Sequence, residues 1–248
     1  MMNLANYLDS TYLKTPKQSG LSDSETLVKI RELVQEAIDN NFYAVMIRPD
    51  YIGSLRMMLD EKQSTVKLGT VIDFPLGENS VSAKLSEARK AIVGGADELD
   101  FVIDYKAFKA GKIDKVQEEV EVCTLIALKS GKIVKWIIET AALTDAEIIA
   151  ITQLIRDVGL NKLAHFPLQN IFVKSSTGFY ETPENVPNGA TPHVIRLMVE
   201  NAGPLSVKAS GGVRNREEAE AMIQLGVKRI GTSSALRIIQ GEKTDSNY

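Results

Sequence analysis

An α/β fold, specifically a closed (β/α)8 TIM barrel in one domain with an extra short N-terminal helix, is the architecture this sequence predicts. Three observations lead there. Apolar strand-like runs alternate with helical patterns eight times along the 248 residues, which implies βαβ units and a parallel sheet. The length suits one barrel domain. Several predicted strands also carry a charged residue, which a barrel can gather into one site. A doubly wound open sheet would alternate similarly, but eight repeats in this length favour closure.

The elements follow in order. LANYLDSTYLK (4–14) reads as a short helix and a very short strand carrying Asp9 and Thr11. Ser22 and Glu25 form a capping box that opens a helix burying Leu27, Ile30, Leu33, Val34 and Ile38. YAVMIRP (43–49) is a strand stopped by Pro49, and a helix with Leu55 and Met58 follows. VKLGTVIDFP (66–75) is the third strand, with Gly77 in its turn; 82–95 is an amphipathic helix closed by Gly94 and Gly95. ELDFVID (98–104) is the fourth strand, 115–129 a helix, and IVKWIIET (133–140) the fifth strand. A second capping box, Thr144 to Glu147, opens a helix to about residue 157. IFVKSS is the sixth strand, 191–203 a helix with Pro192 in its first turn, and LSVKAS the seventh strand. Asn215 caps the helix 215–226, KRIGTSS (228–234) is the last strand, and SALRIIQG starts the last helix. The whole of 1–248 reads as one domain, with 242–248 a flexible polar tail.

Composition narrows the function classes. A net charge of −3 with a pI near 5.6 leaves no basic footprint, so no nucleic-acid partner is expected. The single Cys123 excludes an intrachain disulfide framework and fits a reducing compartment. No signal peptide and no apolar run of membrane-spanning length is visible, so a soluble, cytoplasmic protein is expected. The two histidines, His165 and His193, lie apart and no Cys/His cluster exists, which makes a zinc site improbable.

The informative residues are charges inside strands. Lys174 sits in FVKSSTGF (172–179) on the face of Phe172 and Ser176; Lys208 sits in VKASGGVR (207–214). Asp100 shares a face with Glu98 and Val102, and Lys135 one with Ile137 and Glu139. If all point inward, one acid and three lysines from consecutive strands converge. A structural network of buried ion pairs is the competing reading. As chemistry, the pattern suits one amine nucleophile and one neighbour that tunes it. A free lysine is neutral in roughly 1 of 2,500 molecules at pH 7, and bringing its pKa to about 7 takes about 4.6 kcal/mol. A nearby cation and partial desolvation both act in that direction. Asp100 would serve as a proton relay that keeps Lys208 charged while Lys174 is freed.

Three loops of small residues follow the last three strands: SSTG (175–178), SGGVR (210–214) and GTSS (231–234). Each offers backbone N–H groups close to a helix start, which suits an oxyanion. Barrels commonly bind phosphate after strands seven and eight. With Arg214 beside them, these loops predict a phosphorylated ligand.

Taken together, DSTYLKTP, AVMIRPDYI, VIDFPLG, ADELDFVID, KWIIET, FVKSSTGF, VKASGGVR and RIGTSS resemble the deoxyribose-phosphate aldolases in order and spacing. The resemblance implies a metal-free Schiff-base enzyme without a cofactor. Such an enzyme cleaves 2-deoxy-D-ribose 5-phosphate reversibly to acetaldehyde and D-glyceraldehyde 3-phosphate in deoxynucleoside breakdown. It implies Lys174 as the Schiff-base lysine, Lys208 as its tuning and proton-donating partner and Asp100 as the relay acid. It places Asp9 among the residues that orient substrate, with Thr11 and Lys135 counted beside it. Phosphate ligands fall on Gly178, Gly211, Gly212, Gly231, Ser233 and Ser234. Tyr248, the last residue, matches a C-terminal tyrosine that aids proton exchange in some members. A homodimer or higher homo-oligomer is expected. Met46 departs from the family's cysteine and is expected to pack; Asp73 replaces a glycine or asparagine. The stretches 160–170 and 179–192 are longer than usual, and the second borders the mouth. Another phosphosugar aldolase, an isomerase of the same barrel class and a non-catalytic sensor remain as alternatives.

Overall fold

A computed structural model describes residues 3–184 and 186–241. Eight parallel strands close into a barrel in sequence order, β1 pairing with both β2 and β8. They are β1 Leu8–Thr11, β2 Ala44–Ile47, β3 Lys67–Ile72, β4 Glu98–Val102, β5 Ile133–Ile137, β6 Ile171–Lys174, β7 Ser206–Ser210 and β8 Arg229–Thr232. Ten α-helices accompany them: α1 Pro16–Ser19, α2 Asp23–Asp39, α3 Ile52–Glu61, α4 Val81–Val93, α5 Tyr105–Lys109, α6 Ile113–Lys129, α7 Asp145–Lys162, α8 Pro192–Asn201, α9 Arg216–Gln224 and α10 Ala235–Gln240. The N-terminal helix is a 3-10 turn, Leu4–Tyr7, whose Asn3 cap accepts from the Ala5 N–H.

Alternation sorts the strand residues into two layers. The outward residues, such as Val45, Leu99, Phe101, Val134, Trp136 and Val173, join the helices in one hydrophobic core. Trp136 stacks on Phe101 at 5.1 Å, and its indole N–H donates to Thr124 Oγ1 on α6. The inward residues are of another kind. Apolar ones at β2, β3 and β6 (Met46, Val71, Phe172) share the barrel interior with Asp9, Glu98, Asp100, Lys135, Lys174, Lys208 and Arg229, all buried. The outer layer therefore supplies the apolar burial that stabilises the fold, and the interior is left to charge.

Both capping boxes form, and a third, Thr15 with Gln18, caps α1. On α2 the fully buried stripe is Thr26, Ile30, Val34 and Ala37, with Leu33 and Ile38 packed at its edges; Leu27 lies beside the stripe. α7 continues to Lys162, five residues beyond the expected end, running through Gly159, which is buried against Leu205 rather than ending the helix. It consumes the start of the long stretch at 160–170. The short helix α5, capped by the Asp104 carboxylate, was not expected.

The surface of α4 differs most from its amphipathic pattern. Its inner face buries Lys84 completely. The ammonium donates to the Gly77 and Val102 carbonyls at 2.8 Å, pairs with Glu119 of α6 and lies 3.3 Å from Asp73. Asp73 stands at φ 54°, an uncommon conformation for a side chain-bearing residue, and its carboxylate is bonded by Asn79. The substitution at Asp73 thus provides a second anion for Lys84. Met46 is fully buried and fills the space opposite Gly69, where a Cβ would come 2.3 Å from its sulfur.

Candidate active site

Asp100, from the middle of β4, is the centre of the inner layer. Lys135 donates to its Oδ1 at 2.7 Å; Lys174 and Lys208 donate to its Oδ2 at 2.9 and 3.0 Å. Strand pairing sets this up: Asp100 is in register with Lys135 of β5, and Lys174 of β6 with Lys208 of β7. Below them, Lys135 also donates to Glu98 at 2.6 Å. Arg229 from β8 forks between Asp9 and Glu98, and its guanidinium carbon lies 3.4 Å from the centre of the Tyr43 ring. Asp9 Oδ2 lies 2.5 Å from the Lys208 ammonium as a charge contact rather than an aligned hydrogen bond.

The charges respond to this arrangement in different ways. Burial presses the Lys174 ammonium toward its neutral form; Asp100 opposes this, Lys208 and Lys135 add to it, and its pKa comes to about 8. Burial also acts on Lys135, but Asp100, Glu98 and Asp9 together hold its pKa above the ordinary range. Arg229 is likewise held charged by Asp9 and Glu98 against burial. Burial works against the Asp100 carboxylate, yet Lys135, Lys174 and Lys208 keep its pKa well below the usual range. For Asp9, burial is overcome by Arg229, Lys208 and Lys135, and its pKa falls to about 2. While Lys135 is held charged, Lys174 is thus pushed toward a free amine. At a pKa of about 8, roughly one molecule in ten carries it neutral at pH 7.

Known proteins share this sequence and fold. Residues 7–240 match the DeoC/LacD family of aldolases. The chain belongs to this family. It is 41% identical to a deoxyribose-phosphate aldolase of Thermococcus gammatolerans, over 98% of this chain and 97% of that one. It is 39% identical to one of Staphylococcus carnosus over the full length of both. The fold superposes with a TM-score of 0.76 on a tetrameric deoxyribose phosphate aldolase from Aeropyrum pernix, at 30% identity over 96% of this chain and 89% of that one.

As a DeoC/LacD aldolase, the chain presents its small-residue loops at the C-terminal mouth of the barrel. Gly178 and Gly212 are exposed at φ 79° and 90°, with open space where a side chain would stand. Ser233 is exposed and Ser234 half-buried beside them, the Ser234 N–H donating to Thr232. Gly211, at φ 87°, is backed by the backbone of Gly189. Gly231 differs from expectation. It lies in the barrel wall, where a Cβ would meet Ser210 Oγ at 2.7 Å and Lys208 Cε at 2.9 Å, so its bareness makes room for Lys208. The SSTG loop also lacks the expected nearby helix start, because α8 begins only at Pro192, after the insertion.

Lys135 and Asp9 are enclosed with no exposed surface, as are Asp100 and Lys208. Lys135 pairs with Glu98 and Asp100, and Asp9 with Arg229 and Lys208, inside the barrel. Thr11 stands half-buried nearer the mouth, its hydroxyl donating to the Asp9 carbonyl. Tyr248 lies outside the described residues.

Sequence reasoning did not single out Glu98, Arg229 or Glu139 as site residues. Glu98 carried a usable signal, since it shares a strand face with Asp100, two residues on; Arg229 stands two residues before Gly231, an expected phosphate ligand. Glu139 carried the signal of sharing a face with Lys135, but not its actual geometry. β5 ends at Ile137, and Glu139 adopts φ 56°, which turns its carboxylate to the Thr177 hydroxyl at 2.5 Å. Burial raises its pKa, partly offset by Thr177 and Ser176. Cys123 is buried on the inner face of α6, and burial with Glu119 nearby pushes its thiol up to about 12, so it is no nucleophile. Among the described residues, no group of three or more His, Cys, Asp or Glu side chains is placed to hold a metal ion. No helix among them is long and apolar enough to cross a membrane.

Proposed function

We propose that this aldolase cleaves 2-deoxy-D-ribose 5-phosphate reversibly to acetaldehyde and D-glyceraldehyde 3-phosphate through an imine on Lys174. The observation that carries the reading is the Lys174 amine itself. It is almost enclosed, bonded to a single carboxylate that it shares with Lys208. In the cleavage direction, neutral Lys174 adds to the C1 aldehyde and water leaves to give the imine. The C3 hydroxyl then loses its proton and the C2–C3 bond breaks. Its electron pair moves into the protonated imine, leaving an enamine on Lys174 and releasing D-glyceraldehyde 3-phosphate. Protonation of the enamine carbon and hydrolysis release acetaldehyde. Lys208 and Asp100 serve as donor and relay, since Asp100 Oδ2 touches both ammonium groups. Gly178, Gly211, Gly212, Ser233 and Ser234 hold the phosphate at the mouth. The names of the relatives support this substrate, and the tetrameric relative supports a homo-oligomer. The low cysteine content supports the cytoplasm as its location.

A cleavage assay tests the reaction. The protein is expected to consume 2-deoxy-D-ribose 5-phosphate with and without EDTA at equal rates. An activity that EDTA abolishes, or no turnover of this sugar at all, would overturn the reading.

A further inference from the structure

The buried cluster contains three carboxylates, Asp9, Glu98 and Asp100, and four cations, Lys135, Lys174, Lys208 and Arg229. With every group ionised the sum is 4 − 3 = +1. An uncompensated charge in a barrel interior is costly, and the cluster relieves it most simply by losing one proton. The contacts decide which group loses it. Arg229 keeps its charge near neutral pH and forks between two carboxylates. Lys135 donates to Glu98 and Asp100, and Lys208 contacts Asp9 and Asp100. Lys174 has one carboxylate within ion-pair distance, already shared, and Glu139 acts on it only from farther off while bonded to Thr177. It is the cation with the fewest counter-charges, and a neutral Lys174 brings the cluster to zero.

We propose that Glu98 and Arg229 are positioning residues that set the charge balance of this cluster and thereby the pH at which the Lys174 amine becomes free. The inference rests on Lys174 being the reacting amine. Glu98 acts through Lys135, which it shares with Asp100; Arg229 acts through Asp9, which it shares with Lys208. The two have opposite signs. Without the charge of Glu98, the cluster stands at +1 even with Lys174 neutral, so protonating it becomes harder. Without that of Arg229, the cluster stands at −1 with Lys174 neutral, and protonation restores balance. Other elements facing the cluster contribute a constant background. β2 and β3 present Ala44, Met46, Gly69 and Val71 inward, none charged, and Lys67 at the start of β3 is exposed. Glu139 at the end of β5 acts on Lys174 but is bonded to Thr177 and is untouched by either change.

The test measures the rate of borohydride trapping with acetaldehyde against pH for the wild type, Glu98→Gln, Arg229→Met and Arg229→Lys. A unit charge roughly 10 Å away at an effective dielectric of about 20 moves a pKa by roughly one unit. Glu98→Gln should therefore move the midpoint down by about one pH unit and Arg229→Met up by about one. Arg229→Lys, which keeps the charge and loses the fork, should stay near the wild type. Shifts in the same direction, or unmoved midpoints, overturn the inference; a merely structural role would lower the rate without opposite shifts. If Arg229→Met does not fold, the downward shift of Glu98→Gln beside an unmoved Arg229→Lys decides. A wild type that traps no imine at Lys174 would remove the functional reading and this inference with it. Normal trapping with unmoved profiles would remove this inference alone.

Discussion

Lys174, the proposed nucleophile, is a buried cation held at a cost to stability. Its pKa falls from 10.5 to about 8, with burial the largest cause. Between those pH values the unfolded chain binds a proton that the folded chain has released. Stability therefore rises with pH across that window, and the full cost is present below about 8. Replacing the amine by an apolar side chain of similar length removes the cost. Lys174→Met should be more stable than the wild type by about 1–3 kcal/mol at pH 7 while losing imine formation. Denaturant unfolding at pH 7 and pH 10.5 checks this. The gap should shrink at the higher pH, and a less stable variant at pH 7 would contradict the account. Much of the inner layer was legible because a lysine or aspartate interrupting an apolar strand has few structural explanations. Asp100, Lys135, Lys174 and Lys208 announced themselves in that way and do lie together. Their contacts were not legible. Nothing in the local sequence tells that Lys135 and Asp9 turn their charge inward, since that depends on Arg229 and Glu98 arriving from strands far along the chain.

Among the elements, strand positions and most helices followed from periodicity and caps, but the strands stop short of their expected ends, β3 at Ile72 and β5 at Ile137. The misreadings lie where tertiary contacts override local pattern. α4 reads as an ordinary amphipathic helix, yet its inner face holds Lys84 because Glu119 and two carbonyls await it there. The insertion 179–192 reads as a loose surface loop, but parts of it are anchored. Phe179 packs edge-on against Phe74 at 5.1 Å, and Tyr180 lies edge-on to Tyr105. At its far end the Ala190 N–H donates to Gly211 O at 2.8 Å, and the backbones of Gly189 and Gly211 touch. A Cβ at Gly189 would fall 2.5 Å from Gly211 O, so the loop after β7 would have to move. Gly189→Val should raise KM for 2-deoxy-D-ribose 5-phosphate about tenfold, or about 1.4 kcal/mol, with far less effect on unphosphorylated deoxyribose. Steady-state kinetics on both sugars check this. Equal losses on the two would place the phosphate away from Gly211.

At the scale of the whole molecule, the barrel separates two jobs. The outward faces of the strands bury apolar surface against the helices, and the inward faces assemble charge contributed by β1, β4, β5, β6, β7 and β8. Closure is what makes this possible, because only β1 pairing with β8 brings Asp9 and Arg229 to the same interior as Asp100. On this charge count the amine left over, that of Lys174, is the one proposed to react. Borohydride reduction in the presence of acetaldehyde, followed by mass spectrometry of the digested protein, tests it most directly. A two-carbon adduct on Lys174, absent from Lys174→Arg because a guanidinium keeps its proton near neutral pH, is the predicted result. An adduct on Lys208 or Lys135, or one that persists in Lys174→Arg, would contradict the account.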